Sequence, residues 1–204
     1  SRFIYFPEMG RQDRPTPAQL RLPFEEVRIA TADGETLHGW FVPAPGARAT
    51  VLFLHGNAGS IAHRLDWLPM FQRLRLSVLL VDYRGFGQST GSPFEAGTHA
   101  DAVAAWRHLT EARRIPPGRI VVFGESLGGA IAAPHAARVD PAALGQHSAC
   151  TSAPDLAADL YPFLPARLLT RYRYDTLAAV KALRCPLLVP LPAAVAVTMR
   201  PPMA

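Results

Sequence analysis

The stretch of sequence that decides the fold is Val121-Val122-Phe123-Gly124-Glu125-Ser126-Leu127-Gly128-Gly129. An apolar run leads into Gly-x-Ser-x-Gly, and the alanine-rich run 130–133 follows. A strand that turns sharply into a helix around such a serine is typical of a nucleophile elbow, in which the serine takes a strained backbone conformation. Gly124 and Gly128 are expected because a Cβ at either position would collide with neighbouring backbone. The stretch therefore predicts a nucleophile at Ser126, beside the free N–H groups of a helix start.

The residues on the N-terminal side of this stretch predict a mostly parallel sheet. The continuously apolar runs 50–54 and 77–81 are typical of strands that are buried on both faces. A helix that begins after Ser60 is predicted to follow the first run, and a helix over 95–113 the second. Because strands and helices alternate, we expect an α/β fold in which helices cover both faces of the sheet.

Two further segments extend this sheet at its two ends. Residues 24–30 and 36–42 alternate between apolar and polar, and the turn signal Asp33-Gly34 lies between them, which predicts an antiparallel N-terminal strand pair. Residues 142–149 lie where the strand after the elbow helix is expected. The composition of 145–147, Gly-Gln-His, is poor for a strand.

Composition excludes several classes of function. The net charge of +5 comes from scattered arginines without a basic run, which argues against nucleic-acid binding and leaves room for weak peripheral contact with a membrane. Cys150 and Cys185 make no disulfide framework, and no cysteine–histidine cluster indicates a metal site. No run of 18 apolar residues and no signal peptide is present, and oligomeric state is not indicated. The chain begins at Ser1, so a membrane anchor upstream of it is compatible with the sequence. The localisation is therefore not predicted: the protein is either cytoplasmic or membrane-associated.

A serine nucleophile also needs an oxyanion hole, and the sequence offers two backbone donors for one. The first is the N–H of Leu127, which directly follows the serine. The second is expected in the loop His55-Gly56-Asn57-Ala58-Gly59, at the end of the strand over 50–54. Gly56 and Gly59 let the backbone approach closely, so we predict that the N–H of Asn57 is this donor.

The general base and its acid are harder to assign. Only His135 and His147 follow Ser126, where the chain order of this fold places the histidine. His135 lies on the elbow helix and is expected to point away from the serine. His147 lies at the end of the strand predicted beside the elbow strand, so it is either the base or a histidine without a catalytic part. Asp155 either orients such a histidine or caps the helix that follows it.

Together these motifs resemble those of the α/β-hydrolases, and more narrowly those of the Bem46-like serine hydrolases. The matching stretches lie in the same order along the chain: Tyr5-Phe6-Pro7, Thr31-Ala32-Asp33-Gly34, Leu37-His38-Gly39-Trp40-Phe41, residues 53–59, residues 81–87, residues 123–129 and Tyr161-Pro162-Phe163. The resemblance implies an α/β-hydrolase fold, a nucleophile at Ser126 and an oxyanion hole at Asn57 and Leu127. It also implies that a small-molecule ester, thioester or amide is hydrolysed through an acyl-enzyme, with no cofactor.

The chain departs from the family after residue 189. In the family, the strand that matches 186–189 leads into a loop with the catalytic acid, and a later loop bears the catalytic histidine. Residues 190–204 contain neither an acid nor a histidine. We therefore expect an N-terminal arm over 1–24, an incomplete hydrolase core over 25–189 that lacks the last strand or strands and helix, and a non-family tail over 190–204.

Three functions remain open at this point. The first is a serine hydrolase by descent that is impaired or inactive because the acid and histidine of its triad are absent. The second is an active enzyme with a rebuilt triad of Ser126, His147 and Asp155. The third is a non-catalytic scaffold or binding module that has kept the fold.

Overall fold

The computed structural model of the chain describes residues 5, 6, 15–147 and 176–188. Seven strands in this part of the chain form one sheet: β1 (Glu25–Ala30), β2 (Thr36–Val42), β3 (Ala49–Leu54), β4 (Leu76–Val81), β5 (Ile120–Glu125), β6 (Ala143–His147) and β7 (Leu187–Leu188). Their order across the sheet is β1-β2-β4-β3-β5-β6-β7. Half of the predicted arm (residues 1–4 and 7–14), the segment 148–175 that holds Asp155, and the predicted tail lie outside the described residues.

Strand pairing confirms the predicted sheet. β1 pairs with β2, and β2 with β4, in antiparallel register, whereas β3 pairs in parallel with both β4 and β5. β5, β6 and β7 continue the parallel part. The hairpin between β1 and β2 turns where Asp33-Gly34 predicted it, with Gly34 at φ 92° and a hydrogen bond of 2.9 Å from Thr31 N–H to Glu35 O. Gly34 supplies the positive φ that this turn requires.

Four α-helices connect the strands in the described residues: α1 (Leu68–Arg73), α2 (Glu95–Arg107), α3 (Leu127–Val139) and α4 (Thr176–Lys181). Two predicted helices differ in detail. The helix predicted after Ser60 begins as a 3₁₀-helix over Ile61–Trp67 and becomes α-helical at Leu68, with Pro69 in the first turn of α1, where proline is tolerated. The helix predicted to end at 113 is α-helical only to Arg107 and continues as a π-helix over His108–Ala112. Within the described residues, no helix has the length and apolar character needed to cross a membrane.

Alternate residues of the strands fill two cores, one on each face of the sheet. On one face, Phe53 and Phe123 pack against the segment 61–73 that contains α1. On the other face, Leu52 and Leu54 pack against the alanine-rich sides of α2 and α3. Helices therefore cover both faces, as predicted from the alternation of strands and helices.

Tertiary contacts explain why β6 is a strand despite its composition. A Cβ on Gly145 would lie 2.6 Å from the ring of Phe123, so any residue other than glycine would clash with this ring. The buried amide of Gln146 donates from Nε2 to Gly129 O on α3 at 3.1 Å. Gly145 and Gln146 have low intrinsic strand propensity, and their contacts with Phe123 and α3 explain why they are nevertheless found in a strand.

Candidate active site

Ser126 lies between the end of β5 and the start of α3 in a strained conformation. Its φ is 51° and its ψ is −114°, values that an L-residue adopts only when the surrounding structure imposes them. A Cβ on Gly124 would lie 2.5 Å from Gly128 O, and a Cβ on Gly128 would overlap Leu54 O. The tight turn thus depends on both glycines, and it sets Ser126 at the carboxyl end of the central strands.

Two backbone donors beside this turn carry no hydrogen bond. Within the described residues, the N–H groups of Leu127 and Asn57 have no acceptor. Leu127 is the first residue of α3, whose N-terminus concentrates positive partial charge. Asn57 lies in the loop that follows β3, which we call the oxyanion loop (residues 55–59). An oxyanion hole is built from unpaired backbone donors of this kind.

The oxyanion loop is tied to the elbow by a pair of charged side chains that the sequence did not reveal. Glu125, which directly precedes Ser126, accepts the N–H of Gly56 at 3.1 Å and Nε–H of Arg64 at 2.9 Å, both at Oε2. Arg64 also donates from Nη1 to Ala58 O at 2.5 Å. Burial tends to raise the pKa of Glu125, but the hydrogen bond and charge of Arg64 outweigh it, so the pKa lies below its usual value. Glu125 is therefore a carboxylate that joins loop and elbow.

His55, the first residue of the oxyanion loop, is completely buried. Its ring packs against the rings of Tyr83 and Phe86, at centroid distances of 4.5 and 5.3 Å. Its Nε2 lies 3.4 Å from Oδ1 of Asp82. Burial lowers the pKa of His55 to about 4, and the carboxylate of Asp82 opposes this only in part. At neutral pH His55 is an uncharged structural residue of the loop.

The stability of the fold is expected to fall in mild acid because two histidines are buried uncharged. Burial lowers the pKa of His135 on α3 to about 4, with smaller contributions from His99 and Arg138. The unfolded chain binds protons at these positions below about pH 6.5 and the folded chain only near pH 4, so stability is lost as the pH falls between these values. At 1.36 kcal/mol per pKa unit, His55 and His135 each contribute about 3 kcal/mol to this loss.

Urea unfolding at pH 7, 5.5 and 4.5 tests this expectation. In His135→Leu, the free energy of unfolding should fall about half as much between pH 7 and 4.5. Leucine is tolerated there, since Nε2 of His135 has no hydrogen bond in the described residues and the ring packs on Trp106. Val103→Leu, at an exposed position of α2 that carries no titratable group, is the control and should leave the profile unchanged. A free energy of unfolding that is constant from pH 7 to 4.5 would contradict the burial of both imidazoles.

His147 lies beside Ser126 through its main chain. The N–H of Ser126 donates to His147 O at 2.8 Å, because β6 pairs with β5 in register to its end. The imidazole packs edge-on against Trp67, with ring centroids 4.9 Å apart, and its Nδ1 is buried without a hydrogen bond in the described residues. Within that part of the chain, no imidazole or carboxylate is hydrogen-bonded to the hydroxyl of Ser126. Asp155, the predicted orienting acid, lies outside the described residues.

In the described part of the chain, no three histidine, cysteine, aspartate or glutamate side chains converge so that they could hold a metal ion. The site that the structure describes consists of a strained serine, two free backbone donors and the Glu125–Arg64 pair.

Comparisons with known proteins show which family the chain resembles over most of its length. The sequence profile described as alpha/beta hydrolase fold matches residues 49–184. A protein of Mycobacterium tuberculosis is 41% identical over 192 residues, which are 92% of this chain and 67% of that protein. Bem46 of Schizosaccharomyces pombe is 35% identical over 164 residues, 78% of this chain and 55% of Bem46. The chain thus spans between about half and two thirds of these relatives.

One solved structure shows the same fold over nearly the whole chain. An esterase of Pyrococcus furiosus superposes with a TM-score of 0.74 at 23% identity, covering 91% of this chain and 76% of the esterase. At this level of identity the likeness concerns the fold.

Proposed function

The chain belongs to the α/β-hydrolase fold family, and on that premise we propose that it is a serine hydrolase that cleaves a small-molecule ester, thioester or amide through an acyl-enzyme on Ser126. The family membership confirms the resemblance drawn from the sequence motifs. The observation that supports the proposal most is the backbone of Ser126, held at φ 51° between β5 and α3. A residue in such a region costs about 1–3 kcal/mol, which a purely structural serine would not require.

The chemistry follows from the atoms around the elbow. Oγ of Ser126 attacks the carbonyl carbon of the substrate, and the oxygen that becomes negative accepts hydrogen bonds from the N–H groups of Asn57 and Leu127. The proton of Oγ passes to a base and then to the leaving alcohol, thiol or amine. Water then attacks the acyl-enzyme and releases the acid, which restores the serine.

The general base determines how fast this chain hydrolyses its substrate. His147 is the candidate, but in the described residues its ring packs on Trp67 rather than bonding to Ser126. We therefore expect slow hydrolysis, because a serine without a bonded base keeps only the contribution of the oxyanion hole and binding, on the order of 10³-fold over water.

Chemical rescue tests both the nucleophile and the missing base. With p-nitrophenyl acetate as substrate, imidazole at tens of millimolar should accelerate release of nitrophenolate by the chain beyond its effect on the ester alone. Ser126→Ala should abolish this acceleration, whereas Ser92→Ala, which removes a hydroxyl from an exposed loop, should not change it. Acceleration that survives Ser126→Ala would overturn the serine mechanism.

His147→Ala separates the two catalytic possibilities. If His147 acts as the base, this substitution lowers the rate measured without imidazole to that of Ser126→Ala, and imidazole restores part of it. An unchanged rate without imidazole would exclude His147 from the reaction and leave Ser126 without a base among the described residues.

A further inference from the structure

The main chain of Phe6 is hydrogen-bonded to the oxyanion loop. Its N–H donates to Asn57 O at 3.3 Å, and its carbonyl accepts the N–H of Gly59 at 3.2 Å. Phe6 and Ala58 thereby form a parallel bridge between two segments that lie far apart in the sequence. Both bonds lie on the C-terminal side of the Asn57 N–H, which itself has no acceptor within the described residues.

Tyr5 anchors this segment in the core directly under the loop. It is nearly fully buried and packs edge-on against Phe86, with ring centroids 6.3 Å apart. Phe86 is itself fully buried and contacts the ring of His55 at the start of the loop. The side chain of Phe6, by contrast, is 42% exposed, so Phe6 acts on the loop through its main chain.

The loop depends on such external bonds because its own sequence gives it little rigidity. Gly56 and Gly59 flank the donor residue, and Gly59 adopts φ 72°, a region that few other residues enter. Glu125 and Arg64 hold the loop on the side of the elbow. The hydroxyl of Tyr83 donates to His55 O at 3.0 Å at the start of the loop. Phe6 supplies two further bonds, which fix the two peptides that follow Asn57.

We propose that Phe6 is a positioning residue that holds the N–H of Asn57 in place for the oxyanion, so that the seating of residues 5 and 6 sets the anion affinity of the site. This inference rests on the proposed function, in which the N–H of Asn57 is an oxyanion donor. A displacement of the donor by about 1 Å costs on the order of a hundredfold in rate. Any event that lifts residues 5 and 6 from the loop would thus weaken the site without touching Ser126.

Phe6→Pro and Phe6→Ala form a matched pair for the test. Proline removes the N–H that bonds to Asn57 O, whereas alanine removes the side chain and keeps both main-chain groups. The first measurement is amide hydrogen exchange of Gly59 in the full chain. We expect exchange at least about tenfold faster in Phe6→Pro than in the unmodified chain, and a change of less than about threefold in Phe6→Ala. Equal exchange in the two variants would overturn the inference.

The unmodified chain supplies a check that needs no variant. Its Gly59 amide should exchange more slowly than that of Ala58, whose N–H has no acceptor in the described residues. Similar exchange of the two amides would also overturn the inference, even if Phe6→Pro failed to fold.

The second measurement addresses the site. The rate at which a fluorophosphonate labels Ser126, in the presence of imidazole, should fall about 10- to 100-fold in Phe6→Pro and less than about threefold in Phe6→Ala. In ester hydrolysis kcat should fall while KM stays within about twofold. Because a loss of folded protein alone would also lower the apparent kcat at unchanged KM, the rate is expressed per folded chain, as measured by circular dichroism. Equal labelling of the two variants would overturn the positioning role. If the unmodified chain is not labelled at all, the proposed function fails, whereas the Gly59 exchange still decides whether Phe6 holds the loop.

Discussion

Replacing Arg84 with methionine is expected to lower the free energy of unfolding by about 3–5 kcal/mol, because it leaves a buried carboxylate without its partner. The side chains of Arg84 and Asp101 are almost completely inaccessible to water. Arg84 donates from Nε and Nη2 to Oδ1 of Asp101 at 2.9 and 2.8 Å, and its backbone N–H bonds to Oδ2. Methionine fills much of the same space, so the loss would report the charge rather than a cavity.

Arg84 also joins the first hairpin to α2. Its Nη1 and Nη2 bond to the two carboxylate oxygens of Asp33 at 2.6 and 3.0 Å, and this pairing holds the pKa of Asp33 well below its usual range. Asp33 is half exposed, so the loss of its partner adds little to the effect. The expected destabilisation therefore comes from Asp101.

The pH dependence of this effect identifies its cause. Burial already raises the pKa of Asp101, against the opposing hydrogen bonds of Arg84. Without Arg84 the pKa rises further, so Asp101 of the variant can take up a proton in the folded state as the pH falls. The difference in stability between variant and unmodified chain should thus be smaller at pH 5 than at pH 8.

Urea unfolding at these two pH values measures the effect. Arg107→Met is the control, because Arg107 lies 3.7 Å from Glu111 on the surface and both side chains are exposed. We expect this control to change the free energy of unfolding by less than about 1 kcal/mol. A loss in Arg84→Met below about 1 kcal/mol at pH 8, or the same loss at both pH values, would show that Asp101 does not depend on Arg84.

The parts of the fold that follow local rules could be predicted from the sequence. The buried strands β3 and β4 are uniformly apolar because both of their faces are covered, and the hairpin turn carries its Asp33-Gly34 signal within two residues. The turn at Ser126 was likewise readable, since the glycines that it requires lie two residues to either side. These features depend on neighbours along the chain.

The parts of the site that depend on distant contacts could not be predicted in the same way. Arg64 and Glu125 are separated by 61 positions, and neither belongs to a pattern that would indicate their ion pair. The bridge between Phe6 and Ala58 uses main-chain groups, which leave no trace in the identity of a side chain. His147 illustrates the same limit, because its position beside Ser126 followed from strand order whereas the packing of its ring on Trp67 did not.

Replacing Gly128 with alanine is expected to disrupt the elbow itself. The new Cβ would overlap Leu54 O and approach His55 O to 2.7 Å, and both are main-chain atoms at the end of β3. Because β3 is hydrogen-bonded to a strand on each side, it cannot yield without disturbing the centre of the sheet. The start of α3 must move instead, and we expect a loss of at least about 3 kcal/mol in the free energy of unfolding.

The same movement should separate the two oxyanion donors. Leu127 N–H belongs to α3 and Asn57 N–H follows β3, so a helix displaced from the strand widens the gap between them. We expect labelling of Ser126 by a fluorophosphonate, with imidazole present, to fall at least about a hundredfold even under conditions where the variant remains folded.

Gly118→Ala is the matched control for this substitution. No atom lies within 4 Å of the position that its Cβ would occupy, and its φ is not in the left-handed region. Alanine there should leave the rate of labelling unchanged and the free energy of unfolding unchanged or slightly higher, because it reduces the entropy of the unfolded chain. If Gly128→Ala behaved like this control, contact between α3 and the end of β3 would not set the elbow. The reactivity of Ser126 would then have to arise from its own strained backbone and from the Glu125–Arg64 pair.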